Sequence, residues 1–250
     1  MHSRRSELLV LVGLLGAGVG LYALRWALFP DPSLHNEMWR FLLGDVGFLC
    51  LQVALVTLVL DRLLRSRERQ AMLRKLNMVI GAFFSEIGTE LLGRLALTDA
   101  TLAEVRSDLI PHQTWTASEY RAAELAVGGH HPKIDLDLDT LERLKTMLVA
   151  EKPFLLGLLG NQTLLEHEQF TELLWAVTHL AEELEARTEF AALPTPDRIH
   201  LAADAKRAYE LLTLQWLSYL RHLQTQYPYL FSLAVRVNPL DPDARVEVTA

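Results

Sequence analysis

Apolar residues are concentrated near the start of the chain, in two long runs that polar residues hardly interrupt. The first run, 8–29, is 22 residues long and contains one charged residue, Arg25. The second run, 41–60, is 20 residues long and contains one charged residue, Asp45. A helix needs about 20 apolar residues to cross the hydrocarbon layer of a membrane. The pattern therefore predicts two transmembrane helices that form a hairpin within residues 1–64.

Basic residues beside these runs predict the orientation of the hairpin. Arg4 and Arg5 precede the first span, and six positive charges lie between residues 62 and 75, after the second. The connection between the spans has Arg40 as its one Lys or Arg, and it is too short to fold as a domain. Because Lys and Arg are enriched on the cytoplasmic side, we expect both termini in the cytoplasm. A cleaved signal peptide is the alternative for the first run, but the apolar core of such a peptide is only about 7 to 15 residues long.

Charged and small residues inside the spans indicate how the two helices pack. In an antiparallel hairpin Arg25 and Asp45 fall at about the same depth, so we predict an ion pair that fixes the helix register. The alternative is that Arg25 reaches the headgroups alone and Asp45 contacts interfacial water. Glycines would allow the helices to approach closely, and whether they also support a homodimer is left open. They are Gly13, Gly16, Gly18 and Gly20 in the first span, and Gly44 and Gly47 in the second.

From residue 65 onward, apolar residues recur with the spacing of an α-helix. The first group of these residues forms an apolar stripe on one face of a helix, and we expect this helix to continue from the second span. The stripe comprises Leu76, Val79, Ile80, Phe83, Phe84, Ile87, Leu91 and Leu95. Prolines and glycines then divide the chain into segments of helical length, which predicts an all-α fold with a cytoplasmic helical bundle over 65–240 and a flexible tail over 241–250. The stripe is expected to pack on the bundle or, as the alternative, on the membrane surface.

Three helix starts are marked by residues that can cap free backbone N–H groups. Thr116 and Asp139 are each followed by a glutamate three residues later, which is the spacing of a capping box. Thr195 is followed directly by a proline, which is favoured in the first helical turn. We therefore expect helices to begin just after these three residues.

Composition and charge narrow the class of protein. The chain has 250 residues, of which 50% are hydrophobic, and a formal net charge of −7. The acidic part of the chain after residue 75 offers no extended basic surface, which argues against a nucleic acid partner. Cys50 is the single cysteine and lies inside a predicted span. One chain can therefore form neither an internal disulfide nor a metal site built from cysteines.

Two pairs of histidine and carboxylate are the main candidates for chemistry. His179 with Glu183, and His200 with Asp204, are each four residues apart on a predicted helix. Their spacing resembles that of the ligands in hemerythrin-like bundles, where such residues converge on a di-iron centre. At about 100° per residue, however, both pairs fall opposite the apolar stripes of their helices. We therefore predict solvated faces or a subunit interface rather than a metal centre in the core, and no cofactor is implied.

Trp175 is a large aromatic residue on the same polar helix face. A neighbouring helix is expected to cover it, and the alternative is that it belongs to a surface that binds a partner. Leu211 and Leu214 also lie toward the polar side of their helix. These two leucines and Trp175 are the candidate partner surface.

Three segments are similar to a known group of sequences. They are residues 76–92 (LNMVIGAFFSEIGTELL), residues 164–184 (LLEHEQFTELLWAVTHLAEEL) and residues 227–239. They resemble a group of uncharacterised bacterial inner-membrane proteins with two N-terminal transmembrane helices and a cytoplasmic helical domain. The resemblance implies location in the bacterial inner membrane and supplies no activity or catalytic residue.

The sequence contains no recognised signature of a phosphate-binding loop, a dinucleotide-binding turn or a nucleophilic serine elbow. We therefore expect a membrane-anchored module, more a scaffold or regulator than an enzyme, that contacts the lipid bilayer and a protein partner or further copies of itself. One alternative is a metal-binding helical-bundle oxidoreductase or sensor that uses the two pairs of histidine and carboxylate. A second alternative is a subunit of a small oligomeric channel or transporter that depends on Arg25 or Asp45.

Overall fold

A computed structural model describes residues 2–28, 37–161, 164 and 167–247 of the chain. The regular secondary structure of these residues is helical. The described residues form eight α-helices together with short π and 3₁₀ segments. Within these residues, an isolated antiparallel β-bridge joins Asp99 and Ile134. The predicted all-α fold is confirmed.

The chain divides into two units, Met1–Ala71 and Met72–Ala250. The first unit contains α1 (His2–Leu28) and the beginning of α2 (Glu37–Phe83). Residues 29–36, which belong to the end of the first predicted span and to the connection between the spans, lie outside the described residues.

Two stretches of the first unit are apolar helices. Gly44–Glu68, within α2, is long and apolar enough to cross a membrane, and Val12–Leu28, within α1, is a shorter apolar helix. Large apolar side chains project from both stretches into the surroundings, with Val19 63% exposed and Leu55 63% exposed. These stretches overlap the two predicted spans, whose insertion in a membrane stays a prediction.

Glycines bring α1 and α2 close together in the first unit. A methyl group on Gly18 would lie 3.2 Å from Cγ of Leu51 and 3.3 Å from the carbonyl oxygen of Gly47. A methyl group on Gly47 would lie 3.0 Å from the ring of Tyr22. The other glycines of α1 face open space, with no atom within 4 Å of such a methyl group: Gly13, Gly16 and Gly20. Close helix packing thus depends on only some of the glycines that the sequence offered.

Arg25 contacts α2 at a glycine. Its guanidinium lies so near Gly44 that a methyl group there would be 2.5 Å from Nη1. The ion pairs of the described residues do not include Arg25 with Asp45. Asp45 follows Gly44 and therefore points about 100° further round the helix, away from the face that meets α1. The predicted ion pair is not formed in this structure.

The second unit is built from the remaining helices and two 3₁₀ turns. After α2 come a π turn (Phe84–Gly88), α3 (Thr89–Ala96), the 3₁₀ turns (Leu102–Glu104 and Arg106–Leu109), α4 (Ala117–Gly129), α5 (Leu138–Leu159), α6 (Glu168–Glu185), α7 (Thr195–Gln226) and α8 (Pro228–Arg236). Helix α7 is central, because α3, α4, α6 and α8 all pack against it, and α5 packs on the other side of α6.

The apolar stripe at the start of the second unit is covered by protein. Leu76, Ile80 and Leu95 are buried, as are the two phenylalanines at the π turn. Phe84 stacks on Tyr219 of α7, with ring centroids 5.1 Å apart. Of the two settings predicted for this stripe, the structure shows packing on the bundle.

The helix starts agree with the capping predictions at one of the three positions. At α4 the backbone N–H of Thr116 donates to the Glu119 carboxylate (2.6 Å) and the backbone N–H of Glu119 donates to the Thr116 hydroxyl (3.4 Å), so this capping box is confirmed. The prediction of Asp139 as a cap is wrong, because Asp137 accepts from the Thr140 N–H (2.8 Å) and α5 starts two residues earlier. The prediction of Thr195 as a cap is also wrong, because it is the first residue of α7 itself.

A buried asparagine ties the C-terminal segment to the core. Oδ1 of Asn238 accepts from Nε1 of Trp216 (3.0 Å), and its Nδ2 donates to the carbonyl oxygen of Leu109 (3.3 Å). Asn238 has no exposed surface. Beyond it, the backbone N–H of Arg245 donates to the carbonyl oxygen of Arg236 (2.9 Å), so Arg245 contacts the end of α8.

Candidate functional site

The two pairs of histidine and carboxylate meet on the surface of the second unit. Nε2 of His179 lies 3.9 Å from a Glu183 oxygen on its own helix, α6, and 3.6 Å from Oδ2 of Asp204 on α7. Nε2 of His200 lies 3.3 Å from the same Asp204 oxygen and 3.5 Å from a Glu183 oxygen. Each histidine therefore faces both carboxylates. These four residues are called the His–carboxylate cluster below.

The antiparallel arrangement of α6 and α7 produces this meeting. His179 lies opposite Asp204 and Glu183 lies opposite His200, so the order of the contacts along α7 is the reverse of their order along α6. The buried faces of both helices are apolar and point the other way, into the core. Because each pair is spaced four residues apart, both of its members lie on the same face of their helix.

The cluster is partly open to solvent. The side chains of His179 and His200 are 52% and 50% exposed, whereas that of Asp204 is 17% exposed. Oδ2 of Asp204, the oxygen that both histidines face, is buried and has no hydrogen-bond partner among the described residues. The site therefore has a half-buried carboxylate at its base and two accessible imidazoles at its rim.

An arginine and a third carboxylate adjoin the cluster. Arg187 donates from Nη1 to the Glu183 carboxylate (2.8 Å) and from Nε to the Asp197 carboxylate (2.8 Å), with a second bond from Nη2 to Asp197. The hydrogen bond from Arg187 to Glu183, aided by the arginine charge, lowers the pKa of Glu183 below its ordinary value. Glu183 is thus held as a carboxylate in a fixed orientation.

Trp175 and the two leucines of the candidate partner surface differ in exposure. Trp175 is 59% exposed, so no described part of the chain covers it, contrary to the covered position that was expected. Leu214 is 38% exposed, whereas Leu211 packs against the core and is only partly open. Trp175 precedes His179 by one helical turn on α6, so it lies beside the His–carboxylate cluster.

A second polar site, which the sequence did not reveal, lies around Asp99. Its buried side chain accepts from Nε2 of His130 (2.8 Å), from the hydroxyl of Thr101 (2.7 Å) and from the backbone N–H of Lys133 (3.0 Å). Burial alone would raise the pKa of Asp99, but these hydrogen bonds outweigh it and the pKa lies below the ordinary value. These hydrogen bonds join the segment after α3 to the segment before α5. The sequence could not predict them, because nothing in the pattern around Asp99 indicates partners more than 30 residues away.

An open cleft lies between the end of α3 and the start of α5. It has a volume of about 310 Å³, and Asp135, Asp137 and Asp139 line it together with Arg94 and Arg143. Asp137 caps α5, and Asp139 forms an ion pair with Arg143 (2.7 Å). The carboxylates at positions 137 and 139 therefore already have partners within the chain.

These features define an all-helical protein with a helical N-terminal unit and a larger helical C-terminal unit. The chain belongs to a family of uncharacterised proteins. Residues 2–64 match the family described as "MJ1433, N-terminal helical domain", and residues 72–236 match "Uncharacterized protein MJ1433, C-terminal helical domain". No solved structure matches the chain.

One relative is similar to this chain over nearly its whole length. The chain is 37% identical over 241 residues to "Uncharacterized protein MJ1433" of Methanocaldococcus jannaschii, with 96% of each chain covered. That organism is an archaeon, whereas the sequence resemblance implied bacterial proteins. The descriptions of the family and of this relative name no activity.

Proposed function

We propose that this protein is a membrane-anchored helical module that acts through protein contacts, as a scaffold or regulator, in a bacterial cytoplasmic membrane. The observation that supports the anchor is the exposure of apolar side chains along both helices of the first unit. Transfer of apolar surface out of water is favourable by about 25 cal/mol per Å². A lipid bilayer is the environment that accepts such surface along a whole helix.

The distribution of basic residues supports cytoplasmic termini. Arg4 and Arg5 precede the first apolar helix, and the basic run of residues 62–75 follows the second. With both ends of the hairpin in the cytoplasm, the second unit is a cytoplasmic domain.

The exposed tryptophan of α6 supports the role in protein contacts. Trp175 exposes 59% of its surface among glutamate and histidine side chains, and Leu214 adds apolar surface on α7. Tryptophan is strongly enriched among the residues that contribute most to binding at protein interfaces. The expected partner is a second copy of this chain or another protein at the membrane.

Single-cysteine labelling tests both parts of the proposal, because Cys50 is the one native cysteine. The native chain and two variants in a Cys50→Ser background, Trp175→Cys and Arg121→Cys, are treated with a membrane-impermeant maleimide in inside-out vesicles of native membranes, in detergent and in denaturant. These vesicles expose the cytoplasmic face to the reagent. Arg121 is exposed on α4 and serves as the control. Labelling is measured by the shift in mass.

We expect Cys50 to react only after denaturation, because lipid surrounds its helix, and the cysteine at position 121 to react in every condition. The cysteine at position 175 should react in detergent but be shielded in native membranes. Rapid labelling of Cys50 in the inside-out vesicles would refute the anchor. Equal labelling of positions 175 and 121 in native membranes would refute the contact surface.

A further inference from the structure

We propose that the His–carboxylate cluster binds one divalent transition-metal ion of the zinc class. The ligands would be His179 and Glu183 from α6, and His200 and Asp204 from α7. Zinc is bound by imidazole nitrogen and carboxylate oxygen, and sites with two histidines and a carboxylate are common among zinc proteins. The proposal concerns the second unit alone and does not depend on the membrane anchor.

The distances within the cluster fit a shared ion better than direct hydrogen bonds. Ligand atoms in a tetrahedral zinc site, with bonds of about 2.0–2.1 Å, lie about 3.3–3.4 Å from one another. Nε2 of His200 lies 3.3 Å from Asp204 and 3.5 Å from Glu183, and Nε2 of His179 lies 3.6 Å from Asp204. A hydrogen bond between nitrogen and oxygen would be about 2.7–3.2 Å long. Ligand atoms of His179, Glu183 and His200 all lie within 4.8 Å of one another. Nε2 of His179 and the nearest Glu183 oxygen are 3.9 Å apart and would move closer together around a shared ion.

The buried oxygen of Asp204 is a second, independent observation. Oδ2 is shielded from solvent and has no hydrogen-bond partner among the described residues. An unpaired buried polar group costs about 1–3 kcal/mol, and the cost is higher for a charged group. A cation between Asp204 and the two imidazoles would satisfy this oxygen.

The charges around the cluster also suit a divalent cation. Glu183, Asp204 and Asp197 carry three negative charges, and Arg187 carries one positive charge, so a net charge of two negatives remains when the histidines are neutral. Arg187 is bound to Asp197 through Nε and Nη2, so the arginine charge is largely neutralised there. Its bond to the side chain of Glu183 orients this carboxylate, as groups outside the coordination shell commonly do in metal sites.

The donor set and the exposure indicate the metal class. Two imidazoles with two carboxylates favour zinc, cobalt, nickel or copper over magnesium and calcium, which prefer sites made of oxygen alone. The half-exposed histidines give the ion a direct route from solvent. The sequence argument against a metal in the core is compatible with this site, because the cluster lies at the surface between two helices.

Metal titration of the full chain in detergent tests the proposal. The protein is stripped with a chelator and titrated with Zn²⁺ by calorimetry, and with Co²⁺ by visible absorption, whose intensity reports a tetrahedral site. The variants are His179→Ala, His200→Ala and the double variant. His112→Ala is the matched control, because His112 is exposed, lies 3.9 Å from a Glu119 oxygen, and belongs to no cluster of metal-ligating side chains within the described part of the chain.

We expect one Zn²⁺ per chain and an intense Co²⁺ spectrum in the wild type and in His112→Ala. Loss of either cluster histidine should weaken Zn²⁺ binding by more than about 100-fold, because even groups outside the coordination shell contribute about 10- to 100-fold. Zn²⁺ should also raise the melting temperature of the wild type but not that of the double variant. The melting temperature without metal should be the same in both, since the histidines are half exposed.

Either of two results would overturn the site. In the first, the wild type binds no more Zn²⁺ than the double variant. In the second, His112→Ala loses as much Zn²⁺ affinity as the cluster variants, which would indicate unspecific binding to surface histidines. Failure of the membrane proposal would leave both measurements unchanged, so the two ideas are tested separately.

Discussion

At the scale of single residues, the buried carboxylate of Asp99 joins two segments that are distant in sequence. It accepts hydrogen bonds from Thr101, His130 and Lys133, and its side chain has no exposed surface. Hydrogen bonds to a charged group contribute about 1.5–3 kcal/mol each to stability, and their loss leaves buried partners unsatisfied. Asp99 therefore acts as a structural tie between the segments after α3 and before α5.

We predict that Asp99→Asn lowers the free energy of unfolding by about 1–3 kcal/mol at neutral pH. The pKa of Asp99 is lowered in the folded chain, so its contribution is complete above the unfolded pKa of about 3.9 and is lost as the pH falls through the folded pKa. The difference between wild type and variant should therefore shrink in acid. Denaturant unfolding at neutral and acidic pH measures it.

The exposed carboxylate of Asp108 supplies the control for this prediction. Asp108→Asn should change the free energy of unfolding by less than about 0.5 kcal/mol at either pH, as is usual for surface substitutions. If Asp99→Asn behaves like this control, the hydrogen bonds around Asp99 contribute nothing measurable and the structural role is wrong.

At the scale of helices, the contact between α1 and α2 depends on which glycines face the partner helix. Gly18 and Gly47 leave room for Leu51 and for the Tyr22 ring, whereas Gly20 faces open space. Sequence alone could not make this distinction, because Gly13, Gly16 and Gly20 share one face of the first apolar helix, Gly18 lies on the other, and the pattern does not say which face meets α2. The rotation of α1 about its own axis determines which of these glycines contact α2.

We predict that Gly47→Leu destabilises the hairpin and that Gly20→Leu does not. A side chain at position 47 meets the Tyr22 ring at 3.0 Å, and overpacking of this kind costs about 1–3 kcal/mol. Helical circular dichroism during heating in detergent gives the melting temperatures. Equal melting temperatures for the two variants would contradict the packing of α1 on α2 through Gly47.

Periodicity predicted the faces of α6 and α7 but could not predict that those faces meet. Spacing of four residues places His179 with Glu183, and His200 with Asp204, whatever surrounds each helix. Their convergence depends on the turn between the helices and on burial of residues such as Leu180 and Leu201 in one core. These are tertiary properties, so a spacing argument describes each pair and not the cluster.

The start of α5 shows the same limit of sequence-based prediction. Asp137 and Asp139 are both residues that can cap a helix, and the rest of the fold determines that Asp137 is the N-cap.

At the scale of the whole molecule, the buried apolar residues belong almost entirely to one unit. Among the described residues, the buried apolar side chains other than Ala54 lie in Met72–Ala250. The family descriptions likewise treat residues 72–236 as a domain of its own. A unit that contains its own core can fold without the rest of the chain.

We predict that the fragment 72–250 folds and stays soluble without the first unit. It should show helical circular dichroism and a single cooperative transition in denaturant, as small domains with one core do. The fragment 72–226 is the matched comparison, since it lacks α8 and Asn238 and leaves Nε1 of Trp216 without its acceptor. It should unfold at lower denaturant concentration. An insoluble or unfolded 72–250 fragment would contradict the independence of this unit.

Asn238 is synthesised after both of its hydrogen-bond partners, because synthesis proceeds from the N-terminus. Nε1 of Trp216 and the carbonyl oxygen of Leu109 both bond to this one side chain. The second unit therefore completes its core only after Asn238 has left the ribosome, and until then these two buried groups lack their partner.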